Sequence, residues 1–92
     1  MKREQIIKTI RRTLKKYKIR EAYLFGSFAR GEKNYHDIDI AIRPPRGKFS
    51  LLDLVGIEQE MEGQIGHDVD LMTLRSISPY FKPYIKKDMV PV

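Results

Sequence analysis

The chain has 92 residues, a formal net charge of +6 and no cysteine. That length builds one domain, residues 1–92, with a single core and too little surface to enclose a macromolecular substrate alone. Disulfides and thiolate metal sites are excluded, and no apolar run nears the roughly 18 residues that span a bilayer, so a cytoplasmic protein with no membrane role is expected.

Residues 2–18 place Ile6, Ile7, Ile10, Leu14 and Tyr17 at spacings of three and four, which predicts an amphipathic helix. Its other faces are basic: nine of the 18 Lys and Arg fall within the first twenty residues. Such a face is ordinarily just solvated, and nucleic acid is the less favoured partner for it, since no RNA-reading motif accompanies it. REAYLF, residues 20–25, reads as a short strand that stops at Gly26. Phe28, Ala29 and Arg30 begin a helical turn that Gly31 breaks. EKNYH is a loop, and DIDIAI, residues 37–42, is a second strand.

RPPRGK is turn-rich. Ser50 then reads as a helix N-cap with Asp53 completing a capping box. The helix over 51–63 is expected to present Leu51, Leu52, Leu54, Val55 and Met61 to the core and to end at Gly63 and Gly66. HDVDLMT, residues 67–73, is a third strand. Ser78 and Pro79 open a closing helix to about Lys87, in which Pro83 predicts a kink or a late start. The order α-β-β-α-β-α predicts an α/β (α+β) fold, a small mixed sheet with helices packed on it.

Residues two apart in a strand share a face. Asp37, Asp39 and Ala41 therefore point one way, and Ile38, Ile40 and Ile42 point the other way into the core. In the third strand Asp68, Asp70 and Met72 share a face. If both strands bury their aliphatic sides under the same helices, the carboxylates form one patch whose mutual repulsion a divalent cation relieves. Mg²⁺ suits such hard oxygen ligands, and a pair of such ions can clamp both oxygens of a phosphoryl displacement. An Asp-x-Asp pair alone is usually a pair of solvated acids. Gly26 and Ser27, at the end of the preceding strand, add a turn that can approach a phosphate closely.

GSFARG, DID, the helix starting SLLDL and VDLMT together resemble the minimal nucleotidyltransferases of the DNA polymerase β superfamily. More narrowly, the chain is similar over nearly its whole length to the MNT antitoxins of HEPN/MNT toxin–antitoxin pairs. The resemblance implies the polymerase β palm-like fold, ATP as substrate and two Mg²⁺ ions held by Asp37, Asp39 and Asp70, with Asp70 also activating the attacking hydroxyl. It implies that Gly26 and Ser27 hold the triphosphate. Arg30, inside GSFARG, is a further candidate for a phosphate, with a solvent-facing arginine as the alternative.

As activity, the resemblance implies transfer of AMP to a tyrosine of a cognate HEPN ribonuclease toxin, in complex with it. Two alternatives stay open: an antitoxin that neutralises by binding alone, and a small-molecule nucleotidyltransferase. Two features depart from the antitoxin pattern. Nine residues rather than ten separate Ser27 from Asp37, and His36 replaces a serine. His36 and His67 are expected to be solvated.

Overall fold

The computed structural model describes residues 1–92. Its first helix, α1 (Arg3–Lys16), follows the predicted stripe: Ile6, Ile10 and Leu14 are buried, and Thr9 and Thr13 complete the face. Each threonine hydroxyl donates to the carbonyl four residues back, Thr9 to Gln5 at 2.9 Å and Thr13 to Thr9 at 3.0 Å. Neither is therefore a buried unpaired group. The helix closes with Lys18 N–H on Lys15 O and Ile19 N–H on Leu14 O.

β1 (Ala22–Phe25) runs directly into α2 (Gly26–Ala29), a single turn that begins at the glycine rather than at Phe28. β2 (Ile38–Ile42), α3 (Leu51–Ile65) and β3 (Val69–Thr73) follow. A 3₁₀ turn, α4 (Lys82–Asp88) and β4 (Val90–Pro91) complete the chain. The strand order is β3-β2-β1-β4, with β1 antiparallel to β2 and β4, and β2 parallel to β3. Parallel neighbours need a long crossover, and α3 supplies it. The expected mixed sheet is present. β4 was not anticipated, because two residues leave no periodicity to read, and its proline is tolerated only at an edge.

α1 and α3 cover one face of the sheet. Ile10 and Leu14 from α1 and Ile57 and Met61 from α3 meet Leu24, Ile38, Ile40, Ile42, Val69 and Leu71 in one cluster. The opposite face is half covered: Phe25, Ala41 and Ile77 form a smaller cluster against Ile85 and Met89. α4 therefore occupies part of the side that carries the aspartates, and the rest stays open.

Two expectations about the helices need correction. α3 passes through exposed Gly63 and stops at Gly66, which takes the left-handed conformation at φ 75° and donates to Glu62 O at 2.8 Å. Leu51, Leu52 and Val55 are not core; they are 73, 84 and 37% exposed. The buried stripe is Ile57, Met61 and Ile65. At about 100° per residue Leu52 and Val55 lie off it, and Leu51 precedes it by more than a turn. The Ser50–Asp53 capping box forms as expected, with Ser50 N–H on Asp53 Oδ2 at 2.7 Å and Asp53 N–H on Ser50 Oγ at 3.3 Å. The closing helix starts late, with Pro83 in its first turn, where a missing N–H costs nothing. No helix is long and apolar enough to cross a membrane.

Candidate active site

The topology brings the end of β1 and the starts of β2 and β3 to one rim of the sheet. Phe25 pairs with Asp39, and Asp39 pairs with Asp70. Asp37 lies just before β2 and is exposed, Asp39 is half-buried, and Asp70 is exposed. Gly26 follows Phe25 at φ 75°, and a Cβ built on it would lie 2.3 Å from Asp39 Oδ2. The glycine is thus required twice, for its conformation and for the close approach of backbone to carboxylate. Ser27, the second residue of α2, stands beside it, partly buried. Asp68 is exposed, outside β3.

Crowding has an electrostatic consequence. The Asp39 carboxyl is pushed up to about 6 from the usual carboxylate range, first by burial and then by the charges of Asp70 and Asp37, with Arg30 pulling the other way. The carboxylates do not close into a ready cage of three donors.

Arg30 does not hang free. Its Nε donates to Glu32 at 2.6 Å and its Nη1 to Asp88 at 2.7 Å, tying the end of α2 to the end of α4. Its charge reaches Asp39, and two of its five N–H donors are engaged by carboxylates.

Several supporting residues carried no signal in the sequence. Arg3, apparently one more charge on the basic helix, donates to the carbonyls of Phe28 and Ala29 at the end of α2 and stacks 4.4 Å over the Phe28 ring. A cation there complements the helix end and anchors the Gly-Ser turn to α1. The histidines also have work. His67 Nε2–H donates to His36 O at 2.6 Å, and its ring packs edge-on against Tyr35 at 4.7 Å. Tyr35 in turn packs on Phe28 at 4.9 Å. This row of rings pins the 31–37 loop, and hence Asp37, to the start of β3. The expectation of a solvated His67 is therefore corrected; the contact joins residues 31 apart in sequence.

β3 is an outer strand, and its outward N–H groups need acceptors. α3 provides them: Val69 N–H donates to Glu62 Oε2 at 3.0 Å and Leu71 N–H to Glu58 Oε2 at 2.8 Å. Asp70 is held between these two anchor points.

Residues 6–92 match the family model described as nucleotidyltransferase domain. The chain belongs to that family. It is a nucleotidyltransferase, and its relatives extend the point. A Methanocaldococcus jannaschii protein with the provisional name of protein adenylyltransferase is 44% identical over 80 residues, covering 86% of this chain and 85% of its own. A solved structure provisionally named a minimal nucleotidyltransferase matches with TM-score 0.81 and 25% identity over 100% of this chain and 97% of that one. A toxin–antitoxin crystal structure with AMP-PNP matches with TM-score 0.77 and 26% identity, over 91% and 69%. The complex of tri-AMPylated Shewanella oneidensis HEPN toxin with MNT antitoxin matches with TM-score 0.65 and 27% identity, over 97% and 66%. The expected minimal nucleotidyltransferase fold stands.

Proposed function

We propose that this nucleotidyltransferase moves AMP from ATP to a tyrosine hydroxyl of a HEPN-domain ribonuclease toxin, acting in the cytoplasm as its antitoxin. The observation that carries this is the in-register pairing of Asp39 with Asp70 against the Gly26 backbone. Asp37, Asp39 and Asp70 would hold two Mg²⁺ ions, which supply charge neutralisation at the α-phosphate and the departing pyrophosphate. Gly26 and Ser27 receive the triphosphate. The acceptor oxygen bonds to the α-phosphorus, the bond from that phosphorus to the pyrophosphate oxygen breaks, and the electron pair leaves with pyrophosphate. The hydroxyl proton passes to Asp70. The names of the relatives support AMP as the group and a toxin as the acceptor.

A macromolecular acceptor is favoured over a small molecule because the aspartates sit at an open rim. Three cavities, of about 600, 350 and 470 Å³, are lined by other residues, and none of the three adjoins the carboxylates. The partner would supply the missing wall. Incubation with α-labelled ATP, Mg²⁺ and the protein encoded next to it tests the proposal. Label should appear on a tyrosine of that protein and vanish with Asp39→Asn, whose circular dichroism should match the parent. Equal transfer by Asp39→Asn, or neutralisation of the toxin without any label, would overturn it.

A further inference from the structure

Cations crowd the end of the sheet opposite the aspartates. Ala22 pairs with Ile42 there, and Phe25 pairs with Asp39 at the other end, about 10 Å away at the rise of an extended strand. A cavity of about 600 Å³ is lined by Arg11, Lys15, Lys18 and Arg20 over Leu14 and Ile19. A second, of about 470 Å³, shares Lys18 and Arg20 and adds Arg43 and Arg46. Taken together as one groove through their shared Lys18 and Arg20, they carry six cations and one acidic side chain, Glu21, which already accepts from Arg43 Nε at 2.6 Å and from the Tyr23 hydroxyl at 2.7 Å. The protein's ion pairs engage only Lys16, Arg30 and Arg43 among its cations. Five of the six groove cations are therefore unneutralised.

Lys18 adds an independent mark. It is the only residue other than glycine in the left-handed region, at φ 60°. Its N–H on Lys15 O and the following Ile19 N–H on Leu14 O form the helix stop that usually ends on glycine. A lysine there keeps a charge at the junction of the two cavities at a conformational cost, and such outliers concentrate where a side chain has a task.

We propose that this groove binds the sugar–phosphate backbone of a single-stranded nucleic acid without regard to base sequence. Neither cavity lining contains an aromatic ring, so there is no platform on which bases stack, and the contacts available are charge on phosphate. An acidic protein surface is the less fitting partner. The exposed apolar side chains that a protein interface buries lie elsewhere, at Leu51 and Leu52 on α3 and at Tyr80, Phe81 and Tyr84 near α4.

The test is fluorescence anisotropy of the full chain with a short labelled single-stranded RNA of mixed sequence, DNA of equal length and polyglutamate, across a salt series. RNA should bind with a log–log salt slope of about −3, corresponding to four or so phosphate contacts, and scrambling its sequence should change little. Lys18→Glu with Arg20→Glu should weaken RNA binding by about tenfold or more. Lys18→Gly separates charge from structure: it should raise the thermal midpoint by removing the left-handed strain, yet weaken RNA binding and make the slope shallower by about 0.7. DNA should bind about as tightly as RNA; affinity that survives the double variant, no RNA or DNA binding at low salt, or polyglutamate binding as tight as either would overturn the proposal.

Discussion

Asp39 and Asp70 face one another directly across the parallel β2–β3 pair. Burial first, and then the charges of Asp70 across the pair and of Asp37, raise the Asp39 carboxyl to about 6. The folded protein therefore binds this proton more tightly than the unfolded chain does, so stability falls as pH rises from about 4 through 6. In the absence of divalent cations, thermal unfolding should show that decline, and Asp39→Asn should flatten it. At neutral pH the variant should be more stable by about 1 kcal/mol once solvent screening is allowed for. That raises the melting temperature by roughly 4–8 °C. A variant less stable than its parent at pH 7 would contradict the charge-crowding account.

Gly26→Ala should damage the site more than the fold. The added Cβ would meet the free end of Asp39, which can swing away, while the left-handed backbone costs about 1–2 kcal/mol. Transfer should drop about a hundredfold, because a carboxylate displaced by about 1 Å loses its positioning. Chemical denaturation and initial rates measured on one preparation would separate the two effects. A large stability loss with intact transfer would be the wrong pattern.

Glu58 and Glu62 should act as acceptors rather than as charges. Glu62→Ala leaves the Val69 N–H unpaired and Glu58→Ala the Leu71 N–H, each costing about 1–3 kcal/mol. Gln retains a carbonyl oxygen at the same reach and should restore most of the loss. Urea unfolding of the four variants checks this; Gln variants as unstable as the Ala ones would show that charge matters instead.

Tyr35→Ala should release the loop bearing Asp37. It removes the edge-on contacts with Phe28 and His67, of about 0.5–1.5 kcal/mol each. Amide exchange over residues 31–37 should accelerate while that of β2 stays slow. Unchanged exchange in the loop would mean that the His67–His36 bond alone pins it.

Much of the architecture was legible because it is written in local periodicity. The α1 stripe, the alternation of DIDIAI and the capping box of Ser50 with Asp53 each depend on residues within a turn or two of one another. Gly26, Ser27, Asp37 and Asp39 were singled out by a Gly-Ser turn at a strand end and an Asp-x-Asp alternation, whereas their meeting at one rim depends on the antiparallel pairing of β1 with β2 across a twelve-residue connection. The exposure of Leu52 and Val55 was not legible. Seven large apolar residues in one helix fit more than one buried face, and only the position of the sheet selects Ile57, Met61 and Ile65.

The residue types and their alternation determined that acids would lie on one side of the strands and aliphatic side chains on the other. Only the tertiary structure decided that Asp70 stands opposite Asp39 rather than a strand away, that Arg3 caps α2, and that Glu58 and Glu62 seal the edge of β3. Period sets the face a side chain takes because the backbone geometry repeats every few residues. Register and partner depend on how distant segments pack, and no local rule carries that information.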